Sequence, residues 1–98
     1  MDEASQEVFL DLRITDGERT RYTEIYGTDP LARDGWLVRR IRHELEVLGY
    51  GLTEPFDLLS ASDGETIQAP GVRGKRPVVV EIQNDRKEDA RTFRVRIP

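Results

Sequence analysis

Ninety-eight residues accommodate one domain and no second core. Hydrophobic residues make up 37% and charged residues 35%, enough for one modest core, and the lack of cysteine excludes disulfides, thiolate metal sites and thiol catalysis. The net charge of −4 is polarised along the chain: residues 1–70 carry 7 basic and 15 acidic groups, residues 71–98 carry 8 basic and 4 acidic ones.

No apolar run exceeds three residues, too short to cross a bilayer. The acidic start Met1-Asp2-Glu3 does not read as a secretory signal, so a cytoplasmic, membrane-free protein is expected. Overall acidity also speaks against nucleic acid, whose binders carry a one-signed basic stripe.

In chain order, residues 1–7 are polar and read as a flexible N-terminus, leaving residues 8–98 as the domain. Val8, Leu10, Leu12 and Ile14 alternate with Phe9, Asp11 and Arg13, the period-two signature of a half-buried strand. Asp16-Gly17 reads as a hairpin turn, with residues 19–26 as the return strand. Gly27-Thr28-Asp29-Pro30 ends it. Asp29 and Asp34 are candidate helix caps, and Gly35 allows a later start. From Trp36 the spacing is helical, with Leu37, Ile41, Leu45 and Leu48 on one stripe and Gly49 placed for a left-handed cap.

Pro55 introduces an extended segment, residues 56–61, followed by a turn at Ser62-Asp63-Gly64-Glu65 and a short strand at Ile67-Gln68. Residues 69–77 hold two prolines and two glycines and read as loop. Residues 78–82, Val-Val-Val-Glu-Ile, give the strongest strand signal and suggest a central position. Residues 84–90 read as a charged loop, and Phe93, Val95 and Ile97 mark a last, half-exposed strand. Hairpins flanking one helix give an α+β domain.

That order, over residues 8–83, resembles the ubiquitin-like β-grasp superfamily. The stretch 12–20 looks like its first hairpin, 37–48 like its diagonal helix, Leu58-Leu59 with Ser62-Asp63-Gly64-Glu65 like its third strand and turn, and 78–83 like its central last strand. The resemblance implies a ββαββ order, a mixed sheet with the helix on one face, and an extra C-terminal strand. The conjugating members end in Gly-Gly. This chain ends Arg94-Val95-Arg96-Ile97-Pro98, which sets a modifier or carrier role behind that of a binding module.

No cofactor, metal site or enzymatic activity is expected. His43 lies between Arg42 and Glu44 and reads as a surface histidine, and Trp36 as a core-edge residue. The carboxylate pairs Asp57/Asp63 and Asp85/Asp89 have no ligand spacing, and Gly71-Val72-Arg73-Gly74-Lys75 departs from a phosphate-binding loop in spacing and in the residue after lysine. Strand phase places Phe9, Leu59 and Val79 on the sheet face opposite the helix, where the resemblance puts a partner-binding patch, with Arg39 and Arg42 as rim charges. Residues 91–97 offer a further mode, addition to a partner's sheet. The expected partner is another protein, bound by a monomer or weak dimer. A small inhibitor, or a nucleic-acid-binding or mimic protein, is the alternative.

Overall fold

The computed structural model describes residues 8–59 and 62–97, so the N-terminal stretch 1–7 and the end of the expected strand 56–61 lie outside it. The fold is α+β: β1 (Val8–Thr15), α1 (Asp16–Tyr26), α2 (Trp36–Val47), β2 (Tyr50–Leu52), β3 (Thr66–Arg73), β4 (Arg76–Lys87) and β5 (Ala90–Ile97). All strand pairs are antiparallel, in the order β1-β5-β4-β3-β2.

This order overturns the β-grasp expectation. β4, which holds the 78–82 run, is central as expected, but it pairs with β3 and β5 and never meets β1. The last strand β5 lies between β1 and β4, so neither of its edges is free to add to another sheet.

Three local causes produce the difference. First, the segment after β1 is a helix. Thr15 Oγ1 accepts from the Glu18 N–H at 3.0 Å and Glu18 Oε1 accepts from the Thr15 N–H at 2.8 Å, a reciprocal capping box. Asp16-Gly17 therefore opens a helix, and the expected hairpin does not form. Second, Pro70 and Gly71 lie inside β3. The Pro70 carbonyl accepts from the Thr53 N–H at 3.1 Å, so the side on which proline lacks a donor faces the sheet edge. Third, β4 runs on through the charged stretch to Lys87. Glu81, Gln83 and Asp85 point to the outer face while Val80, Ile82 and Asn84 are buried on the helix side. Residues 53–57 form no strand.

The core lies between α2 and the sheet. Leu37, Val38, Ile41 and Leu45 pack with Ile14, Val80, Ile82, Phe93, Val95 and Ile97, all at most 2% exposed. Each such side chain contributes about 1.5–3 kcal/mol. The helical stripe and the inward phase of β1, β4 and β5 are those the spacing predicts, except that Leu48 is exposed. α2 takes the later start, with Gly35 at its N-cap. A Cβ at Gly35 would collide with the backbone carbonyls of Asp29 and Pro30, so only glycine permits this close approach of the interhelical linker. Gly49, in the left-handed region at φ 93°, turns the chain into β2.

Candidate functional site: an aromatic and basic cleft between the helices

α1 buries none of its eleven residues. Polar and ring contacts hold it instead. Arg19 donates to the Asp29 carboxylate through Nε at 3.1 Å to each oxygen and Nη2 at 2.7 Å. Asp29 Oδ1 also accepts from the Leu31 N–H at 3.0 Å, and Arg86 on β4 reaches Asp16 at 2.9 Å. Burial pushes the Asp29 carboxyl upward, but the Arg19 hydrogen bonds, the Leu31 N–H and the charges of Arg19 and Arg91 outweigh it. The carboxyl is held below the usual carboxylate range.

Tyr22 stacks on Trp36 with ring centroids 5.1 Å apart, and Tyr26 follows at 6.1 Å from Tyr22. Arg40 lies 5.8 Å from the Trp36 ring and pairs with Glu44 at 3.3 Å. Trp36, Arg39, Arg40 and His43 stand at i, i+3, i+4 and i+7, which gathers them on one face of α2 beside its buried stripe. With Tyr26 and Asp34 they line a cleft of about 480 Å³. Next to it α1 exposes Ile25 and Tyr26, at 62% and 58%. The cleft offers aromatic faces, fork-shaped guanidinium donors and one imidazole. The side chains of Arg39 and His43 make no hydrogen bond or ion pair among the described residues.

The residues expected to form one patch are dispersed. Phe9 and Val79 do face outward, at 45% and 49% exposure. Between them runs a charged ladder: Arg94 binds Asp11 at 3.0 and 3.2 Å and covers the Phe9 ring at 5.0 Å, and Arg96 pairs with Glu81 at 3.1 Å. Leu59 belongs to the segment after β2, on the helix side of the sheet. There the Leu58 N–H donates to the Leu31 carbonyl at 2.8 Å, and Arg42 donates to the Glu54 carbonyl at 3.0 Å while lying 5.3 Å from the Phe56 ring. Arg42 is thus occupied in tying down that segment, and of the proposed rim charges only Arg39 lines the cleft. Residues 71–75 are the end of β3 and its turn into β4.

Among the described residues no group of three or more His, Asp or Glu side chains is placed to hold a metal ion, and no helix is long and apolar enough to cross a membrane. The chain matches no protein-family model, no curated protein and no solved structure.

Proposed function

We propose that the protein is a non-enzymatic protein-binding module whose contact site is the cleft between α1 and α2. The observation that carries this reading is a helix with no buried residue that nevertheless presents Ile25 and Tyr26 to solvent beside Trp36, Arg39, Arg40 and His43. A helix whose apolar contact with the core is the partly buried Tyr22 gains little from its own domain, and a partner covering it supplies the missing burial. Tyr, Trp and Arg are the residue types that dominate binding energy at interfaces. The outer sheet face is a weaker candidate, because its arginines and carboxylates are already paired with one another.

The test is affinity capture with the full chain and cell extract of the source organism, followed by the purified partner. Tyr26→Ala and Arg39→Glu are each expected to weaken binding of that partner about tenfold or more. Val79→Asp, on the outer face, leaves it unchanged. The reverse pattern, or binding to RNA or DNA with a steep salt dependence, overturns the reading.

A further inference from the structure

β1 is an edge strand whose outer side makes no backbone-to-backbone hydrogen bond among the described residues, although the strand is eight residues long and only the Thr15 N–H at its end is engaged, by the Glu18 side chain. Such an edge invites pairing with another strand. On its helix side Leu10 and Leu12 are only partly buried against the core. Its outer side carries Phe9, Asp11 and Arg13. Asp11 is bound by Arg94, whereas Arg13 is exposed, lies opposite Thr92 and forms no ion pair among the described residues.

The sequence 9–15, Phe-Leu-Asp-Leu-Arg-Ile-Thr, is complementary to itself when reversed about Leu12. Suppose a second copy pairs antiparallel across a two-fold axis normal to the sheet. Helix-side residues then meet helix-side residues, and the axis passes through one residue of β1. An axis at Asp11 sets Asp11 against its own copy, and an axis at Arg13 does the same with two guanidinium groups. Both place like charges directly opposite. An axis at Leu10 or Ile14 leaves much of the strand unpaired. An axis at Leu12 alone sets each Asp11 opposite the other copy's Arg13, twice, with Leu12 against its own copy between them.

We propose that two copies of this chain join edge to edge through β1, antiparallel about Leu12, to make one continuous ten-stranded sheet. Each Asp11 carboxylate then lies between Arg94 of its own chain and Arg13 of the second copy. This extends the charged ladder of the outer face across the junction. The surface is separate from the cleft between the helices, so it stands or falls independently of the partner-binding reading.

The experiment is sedimentation equilibrium of the full chain over a roughly hundredfold concentration range, where mass action must show in the apparent mass. The expected result is a dimer at twice the 11.3 kDa chain mass. Arg13→Glu and Asp11→Lys, each checked for native circular dichroism, are expected to raise the dissociation constant about tenfold or more. An equimolar mixture of the two variants is expected to recover the dimer, because both opposed pairs are again of opposite sign. A wild-type chain that stays monomeric, or a dimer indifferent to Arg13→Glu, overturns the proposal. A dimer lost in Arg13→Glu and not recovered in the mixture overturns the Leu12 register.

Discussion

Glu88 and Gly74 occupy the same place in two hairpins. Each is the first of two loop residues, between the pairs Lys87↔Ala90 and Arg73↔Arg76 respectively, and each has positive φ, 58° for Glu88 and 63° for Gly74. Glycine takes this conformation freely, whereas a glutamate there carries a strain of about 1–2 kcal/mol. Glu88→Gly is therefore expected to raise stability by about 0.5–1 kcal/mol, the relief being partly offset by unfolded-chain entropy, and Gly74→Ala to lower it by about 1 kcal/mol. Urea denaturation of both variants checks the pair. Asp29 supplies the second prediction at this scale. Its folded carboxyl titrates below its unfolded value, so its contribution is present above the unfolded carboxylate range and is lost as pH falls through the folded value. Asp29→Asn is expected to cost about 1–2 kcal/mol at neutral pH and progressively less in acid, measured as thermal unfolding across pH.

At the scale of elements, the two helices differ in what holds them. α2 is secured by four buried side chains, α1 by a capping box, one bidentate ion pair and ring stacking. α1 should open locally at a lower free energy than the domain unfolds. Native-state hydrogen exchange is expected to show α1 amides exchanging well before those of α2 and β4. Thr15→Ala removes the cap at a cost of about 1 kcal/mol. Helical circular dichroism should fall in this variant while the sheet and its denaturation midpoint change little. An equal loss of protection in β4 would show that α1 belongs to the same cooperative unit. The capping box Thr15-x-x-Glu18 was legible in the sequence, but Asp16-Gly17 within it is also a turn signal. Local chemistry alone does not rank the two, and α1 has no strong apolar period to decide the matter. The cleft was half legible: Trp36, Arg39, Arg40 and His43 have helical spacing, yet nothing local says that Tyr22 and Tyr26 arrive beside them.

For the whole molecule, one core between α2 and the sheet carries the stability. Ile82 and Phe93 are fully buried on adjacent strands, within a single cluster that spans the sheet. Phe93→Ala is expected to cost about 3–5 kcal/mol, a large share of what a domain of this size possesses. Its urea midpoint should collapse, whereas Val79→Asp, on the outer face, should shift it by no more than about 0.5 kcal/mol. The antiparallel sheet also makes the outer face a ladder of cross-strand charges, because Asp11, Arg94, Glu81 and Arg96 are brought into register by pairings up to 83 residues apart in sequence.

By itself the sequence determined the periodic elements: the inward phase of β1, β4 and β5, the buried stripe of α2 and the glycines that bound it. These follow from side-chain spacing, which is a local property. Only the tertiary structure decided the rest. β5 could be central or peripheral with the same alternation, and its place between β1 and β4 depends on long-range pairing. Pro70 and Gly71 read as breakers until the sheet turns the proline's missing donor toward the end of β2 and brings β2 so close to Gly71 that a Cβ there would collide with the Gly51 carbonyl. Phe9, Val79 and Leu59 share an outward phase on paper. The segment that carries Leu59 is not a strand, so its phase has no sheet to refer to.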